Sequence, residues 1–269
     1  MKRIITAAVL CLLLTGCTIP PLYTPDADPV MPSTQAPTNE TSAATEEAPT
    51  EAPTTAPTEP EHSSLYLPDV TVADAILYFN EVCLDAEYSA SGNAALVQKW
   101  LIPIRYYLYG TPTNEDLALL ESYCAQLNVI EGFPGISQAD SPEDANLAIH
   151  FCSATELVNI LGNEYVGCDG GVRFWYYNDT NDIYDATICI RNDIDQYLRN
   201  SVIQEEIYNG LGPVQDTALR PDSMIYSEFS QPQALTDVDV LILQLLYNPR
   251  IACGMNQQEC EAVIRELYY

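Results

Sequence analysis

The chain has 269 residues, of which 38 are acidic and 10 are lysine or arginine, so its formal net charge is -28. Such an acidic surface repels phosphate backbones, which argues against nucleic acid as a partner. The charge is spread along the chain and is typical of a soluble, exported domain rather than of a cation site.

The N-terminus has the pattern of a targeting segment. Lys2 and Arg3 precede an apolar run at residues 4–14 that is too short to span a bilayer as a stable helix. The sequence L-T-G-C at residues 14–17 resembles the lipobox of bacterial lipoproteins, in which the peptide is cut before the cysteine and the thiol receives a lipid. An ordinary secretory signal with a chance cysteine is the alternative. We expect Cys17 to be lipidated and to anchor the protein at the extracytoplasmic face of the cell membrane.

Residues 18–64 have a different composition, rich in Thr, Pro, Ala and Glu, with few residues that could enter a core. This composition predicts a disordered linker. A fully extended polyproline-like chain of this length could reach on the order of 100 Å, so we expect it to hold the following domain away from the membrane.

Residues 65–269 are enough for one domain with a sizeable core. Seven cysteines remain after removal of the signal peptide and lipidation, and none has C-x-x-C spacing, so a structural zinc site is not indicated. Export permits disulfides, and Cys253 with Cys260, or Cys83 with Cys124, could be bridged. Buried free thiols are the alternative, and the pairing stays open at this point.

Hydrophobic periodicity predicts the elements of this domain in chain order. The predicted helices cover residues 71–83, 114–127, 154–161, 195–211, 237–247 and 256–268. The predicted strands cover residues 100–109, 145–152, 172–177 and 185–191, and the last two form a hairpin. Strands followed by long helices predict an α+β domain with a mixed or mostly antiparallel sheet.

The helix at residues 195–211 contains the segment of most interest. Its apolar face has four-residue steps at Ile203, Ile207 and Leu211, and Gly210 and Gly212 can supply the positive φ that ends a helix.

This segment, E-E-I-Y-N-G-L-G, resembles the H-E-x-x-H-x-x-G-x-x-H motif of metzincin metalloproteases, in which three His bind zinc and the Glu acts as base. Glu206 and Gly212 keep the places of the motif's Glu and Gly. Glu205, Asn209 and Gln215 stand where the three His would be. The resemblance implies a zincin-like fold without the usual zinc ligands.

Two downstream segments extend the resemblance. The segment P-D-S-M-I-Y at residues 221–226 is similar to the metzincin Met-turn D-S-I-M-Y, with Met224 and Ile225 exchanged. The segment that starts at residue 235 is similar to the last helix of matrixin-type domains, in which an Asp and a Tyr help lock that helix to the active-site loop. Asp239 and Tyr247 occupy those two places.

The same region also resembles a bacterial family of unknown function that is common in lipoproteins. That family has an E-E-L-x-x-x-L-G-L segment, then D-S-I-F-Y, then L-Y-x-P-x-x-x-x-G-M. The ending L-Y-N-P-R-I-A-C-G-M at residues 246–255 fits this pattern closely. The resemblance implies no assigned activity.

The residues present are poor ligands for zinc, which prefers thiolate, imidazole and carboxylate. Asn209 and Gln215 are neutral amides, and only Glu205 could ligate. The two histidines are His62, in the linker, and His150, which we expect to be a packed or surface residue of a strand. We therefore expect no metal and no cofactor.

Catalysis without metal would need a second acid or base. Neighbouring helical residues point about 100° apart, so Glu205 and Glu206 do not converge, and Asp216 or Asp222 would have to complete a pair. The alternative is that Glu206 braces the loop of Gly212 and Glu205 is solvated.

The sequence thus predicts a pseudoenzyme, a metal-free relative of metallopeptidases. Glu206 is the candidate catalytic residue, and Glu205, Asn209 and Gln215 are the candidate binding residues. The expected function is binding of a peptide or a cell-envelope ligand. An active hydrolase that uses Glu206 with atypical metal ligands, and a purely structural envelope protein, are the alternatives.

The chain has 18 tyrosines, and aromatic side chains concentrate in two predicted strands, at residues 106–109 and 174–177. Such strands could form a surface for a sugar or a peptide. Packing within the sheet is the simpler explanation.

Overall fold

The computed structural model describes residues 63–84, 96–227 and 233–268. Cys17, the predicted signal peptide and the predicted linker up to residue 62 lie outside these residues. The helices are α1 Val72–Leu84, α2 Asn114–Leu127, α3 Ala154–Leu161, α4 Gln196–Gly210, α5 Asp237–Leu246 and α6 Gln257–Leu267. The strands are β1 Lys99–Trp100, β2 Ile104–Gly110, β3 Ile136–Gln138, β4 Leu147–Cys152, β5 Gly170–Tyr176 and β6 Asp182–Arg191.

The six strands form one sheet in the order β1-β6-β4-β2-β3, and β5 also pairs with β6. Four pairings are parallel, and the pairing of β5 with β6 is antiparallel. The protein is therefore a mixed α/β domain with a mostly parallel sheet, so the expected mixed sheet is confirmed, whereas the alternative of a mostly antiparallel sheet was wrong. The physical reason is that α2 returns the chain from the end of β2 to the start of the parallel strand β3, and that β5 returns the chain from the end of β4 to the start of the parallel strand β6.

The predicted hairpin of β5 and β6 is confirmed, and its loop contains Asn181 in the left-handed region with φ 60°. The strand predicted at residues 100–109 is divided into β1 and β2 around Pro103, which has no backbone N–H for a ladder bond. Strand β3 was not predicted, because three residues are too few for a period to show.

The two faces of the sheet are covered differently. On one face, helix α4 packs on β5 and β6, and α2 packs on α4. The large core lies on this face and includes Ile149 and Phe151 of β4. On the other face α3 covers a small cluster that contains Cys152, Cys189 and Leu157. Residues alternate between these faces along each strand, as a pleated sheet requires.

The disulfides considered from the sequence are not present. Cys83, Cys124, Cys253 and Cys260 are all free thiols. The Cys253 thiol lies 3.7 Å from the backbone oxygen of Lys99, whereas the Cys260 thiol is buried on the inner side of α6. The two thiols therefore point to different surroundings although they are close in sequence.

The buried carboxylate of Asp239, at the start of α5, fixes the turn before it. It accepts hydrogen bonds from the backbone N–H of Met224 at 3.1 Å, from the backbone N–H of Thr236 at 2.9 Å and from the Thr236 hydroxyl at 2.8 Å. The Ser223 hydroxyl donates a fourth bond. Burial raises the pKa of Asp239, and these donors oppose the shift.

The end of α4 is held by α5. The hydroxyl of Tyr247, the residue that follows α5, donates to the backbone oxygen of Leu211 at 2.7 Å. The end of α5 is itself held by β1, because the Lys99 Nζ donates to the Leu246 oxygen at 2.7 Å. Gly212 has φ 127°, and a Cβ there would lie 2.4 Å from the Gln98 oxygen, so only glycine fits. Gly210, in contrast, does not have the positive φ that we expected.

We expect Asp239→Ala to lower the free energy of unfolding by about 3–5 kcal/mol, because it leaves buried donors without their acceptor. Urea denaturation of the full chain measures this. Asp237→Ala is the matched control, since Asp237 is exposed in the first turn of the same helix and should change stability by less than about 1 kcal/mol. Equal effects of the two substitutions would contradict the role given to Asp239.

Candidate functional site

The candidate residues lie on two consecutive segments. Helix α4 carries Glu205, Glu206 and Asn209, and the loop that follows Gly212 carries Gln215 and Asp216. Glu206 is only 9 % exposed, and the other side chains of the site are partly buried.

The loop brings Asp216 back to the helix. The Asn209 Nδ2 group donates to the Asp216 carboxylate at 3.4 Å, and Asp216 is close enough to raise the pKa of both glutamates. The other aspartate considered, Asp222, is instead paired with Arg220 at 2.9 Å between Oδ1 and Nε. The carboxyl groups of Glu205, Glu206 and Asp216 are therefore near enough to influence one another electrostatically, and we call them the acidic cluster.

Burial is the main electrostatic influence on the acidic cluster. It raises the pKa of Glu205 and of Glu206 well above the usual range, and the charge of Asp216 adds to both shifts. Burial also raises the pKa of Asp216 to about 6, and the hydrogen bond from Asn209 opposes this shift. Glu205 is thus partly buried in the structure.

Strand β5 closes one side of the acidic cluster. A Cβ on Gly170, the first residue of β5, would lie 2.4 Å from Val202 Cγ1 and 2.7 Å from Glu206 Oε1. Only glycine lets the strand approach α4 this closely. The adjacent glycines Gly170 and Gly171 are a signal of this close approach in the sequence, and the contact was not predicted.

Two amide oxygens at the site, Asn209 Oδ1 and Gln215 Oε1, are buried and have no hydrogen-bond partner in the part of the chain that the structure describes. Such acceptors cost free energy when they are left unpaired. Both residues stand where the metzincin motif would have His. Together with the carboxyl groups they concentrate oxygen atoms at the site, and the Asn209 Nδ2 group donates only to Asp216 among them.

The residues of the site do not fit zinc. The set consists of carboxylates and two amides, whereas zinc sites in proteins are built from thiolate, imidazole and carboxylate. Among residues 63–84, 96–227 and 233–268, no three His, Cys, Asp or Glu side chains are grouped so that they could hold a metal ion. His150 lies on β4, where its ring stacks on Tyr109.

The segment similar to a Met-turn is connected to the acidic cluster through the backbone. Thr217 donates its N–H to the Ile225 oxygen at 2.9 Å and accepts from the Ser227 N–H at 2.9 Å. Met224 and Ile225 are both buried, and the Tyr123 hydroxyl lies 3.6 Å from the Met224 sulfur. The two backbone hydrogen bonds of Thr217 hold it against this segment, and Thr217 is the residue that directly follows Asp216.

A family model described as "Protein of unknown function (DUF2927)" matches residues 73–266. The match includes α4, the loop of Asp216, the turn and α5. It agrees with the family of unknown function that the sequence motifs indicated. No curated protein matches the chain.

We expect Asp216→Asn to flatten the dependence of stability on pH between about 4 and 6. The folded pKa of Asp216 is raised from 3.8 to about 6, so the folded state holds more protons in this window and loses stability as the pH rises through it. The slope of the free energy of unfolding against pH should become shallower by less than about 1.4 kcal/mol per pH unit, which is the value for the uptake of one whole proton.

Urea titrations at a series of pH values measure this slope. Asp222→Asn is the control, because the hydrogen bond from Arg220 lowers the pKa of Asp222. Asp222 therefore affects the pH dependence of stability below about pH 4 and not between about pH 4 and 6. An unchanged slope in Asp216→Asn would show that Asp216 titrates normally.

Proposed function

We propose that this chain, which belongs to the DUF2927 family of proteins of unknown function, is a zincin-like binding protein that recognises a cationic group of a peptide through its acidic cluster. The observation that carries the proposal is the concentration of oxygen atoms at the site: three carboxyl groups with raised pKa, and two buried amide oxygens that have no hydrogen-bond partner among the described residues. A primary ammonium or a guanidinium supplies several donors and a positive charge together.

The zincin-like part of the proposal is supported by the contacts around α4. Asp239 and Tyr247 occupy the two places that lock the last helix in matrixin-type domains. Here Asp239 binds the turn at Ser223 and Met224, and Tyr247 binds the end of the helix that carries Glu206. These contacts are the ones that such a frame would need, and they support the zincin-like proposal, in which other residues stand at the positions of the zinc ligands.

A peptide is favoured over a free cation by the position of β5. In the described part of the chain β5 pairs only with β6, so it is an edge strand, and it begins beside Glu206. An edge strand can accept an extended peptide through main-chain hydrogen bonds, while a nearby pocket selects a side chain. The acidic cluster would then select lysine or arginine.

One observation favours hydrolysis as a second candidate function. Burial raises the pKa of Glu206 and of Asp216, that of Asp216 to about 6, and the charge of Asp216 adds to the shift of Glu206. Two neighbouring carboxyl groups with raised pKa can act as acid and base. Glu206 would donate the proton and Asp216 would activate water, without a metal.

We also propose that the protein is a lipoprotein of the cell envelope, anchored through lipid on Cys17. The support is the order of basic start, apolar run and lipobox in the sequence. Among the helices that the structure describes, none has both the length and the apolar character needed to cross a bilayer.

Binding can be tested by calorimetry with a blocked extended pentapeptide that has lysine at its centre. We expect binding to be weakened by about tenfold or more in Glu206→Gln and in Asp216→Asn, because each loses a charge that faces the ammonium. Glu131→Gln is the matched control, since Glu131 is exposed and lies outside the site. The same peptide with norleucine in place of lysine keeps the backbone and removes the charge.

Binding of a cation should also release protons, because it favours the ionised carboxylates. The measured heat should therefore depend on the ionisation enthalpy of the buffer. Equal affinity for the lysine and norleucine peptides would refute cation recognition. Cleavage of the peptide that persists with chelator and is lost in Glu206→Gln would establish the hydrolase instead, and no binding at all would favour a structural role.

We expect Cys17→Ser to move the protein from the membrane fraction to the soluble fraction of an expressing bacterium, because the lipid supplies the membrane affinity. Fractionation and immunoblotting measure the distribution, and incorporation of labelled palmitate measures the lipid. Cys253→Ser should leave both unchanged. A Cys17→Ser protein that stays in the membrane fraction would exclude the lipid anchor.

A further inference from the structure

A second candidate site lies where the crossover connections diverge. The carboxyl ends of the neighbouring parallel strands β2 and β4 are at Gly110 and Cys152. Strand β2 continues into α2, which shares the large core with α4, and β4 continues into α3, which covers the opposite face. In open parallel sheets such a divergence leaves a crevice at the carboxyl ends of the two strands, where ligands bind.

The structure has a cavity of about 180 Å³ at this place. Gly110, with φ 83°, ends β2 so close to β4 that a Cβ would lie 2.0 Å from the Phe151 oxygen. The side chains that line the cavity come from β4 and α3, namely His150, Cys152, Glu156, Asn159 and Ile160. The cavity is below the roughly 300 Å³ of drug-sized sites, so it suits a single small ring.

Aromatic rings form a platform beside this cavity. The rings of Tyr109 and His150 are stacked, with centroids 4.5 Å apart and an interplanar angle of 8°. Tyr107 supports Tyr109 edge-on at 5.1 Å, and Tyr109 is 37 % exposed. Burial lowers the pKa of His150, which favours the neutral imidazole. The platform can therefore contact the C–H face of a ring without carrying charge.

The polar groups at the cavity suit hydroxyl groups. Glu156 uses Oε2 to cap α3, accepting from the Ser153 N–H at 2.9 Å, and this leaves Oε1 for a ligand. The Asn159 amide can both donate and accept, and Ile160 adds an apolar wall. The charge of Glu156 disfavours anions. A neutral ring with several hydroxyls matches this combination.

We propose that the cavity between the ends of β2 and β4 is a binding site for a single sugar ring, stacked beside Tyr109 and hydrogen-bonded by Glu156 and Asn159. This site lies on the face of the sheet opposite to α4 and does not depend on the acidic cluster.

Titration of the ¹⁵N-labelled full chain with glucose and with N-acetylglucosamine tests the proposal. We expect amide shifts at Gly110, His150 and Asn159 and a Kd in the millimolar range, as is usual for a ligand of this size. Tyr109→Ala should weaken binding by about tenfold, the value of one stacked ring. Tyr197→Ala, at an exposed tyrosine of α4, should have no effect.

Asn159→Ala is a second variant, at an exposed position of α3 where the fold should be kept, and it should also weaken binding. Adenosine and inorganic phosphate serve as comparison probes. The proposal is overturned if neither sugar, at about 100 mM and so far above a millimolar Kd, shifts the amide signals of the cavity residues. It is also overturned if only adenosine or phosphate binds there, or if the Tyr109 and Asn159 variants bind sugar as the unaltered protein does.

Discussion

The buried carboxylate of Asp239 is the constraint on which the arrangement of the domain depends. A carboxylate removed from water is tolerated only when donors surround it, so the residues that supply them must be in place together. The Tyr208 hydroxyl from α4 donates to the Asp239 backbone oxygen at 2.9 Å, and the Tyr78 hydroxyl from α1 donates to Ser223 at 2.9 Å. Three helices and the turn at Ser223 thus meet at one residue.

This constraint extends to the acidic cluster through the backbone. The turn that Asp239 holds pairs with the backbone of Thr217. Thr217 directly follows Asp216, whose carboxyl group accepts a hydrogen bond from Asn209. Asp239 has four hydrogen bonds to its carboxylate, whereas Glu206 has none to the described residues although it is also buried. The buried carboxylate of Asp239 thus has its hydrogen-bond donors, whereas Glu206 in the candidate site has none among the described residues. This difference is the pattern expected where a site gives up stability for binding.

Much of the local structure could be predicted from sequence. The bounds of α3 were predicted without error, since Ser153 and Glu156 form a capping box at its start. Positions Asp239 and Tyr247 were singled out by motif, and both make hydrogen bonds that hold α5 to earlier segments of the chain. The order of the strands was not predictable in the same way, because pairing between distant strands leaves no periodic signal in either one.

The sequence by itself determined the helices, the hairpin and the anchor residues of α5, because each is a pattern of neighbours along the chain. Only the tertiary structure decided that the sheet is mostly parallel, that the cysteines considered as pairs stay free and that Asp216 joins Glu206. On the helix alone Glu205 and Glu206 diverge. Their environment is set by a glycine turn, an edge strand and burial, which act across the fold rather than along the chain.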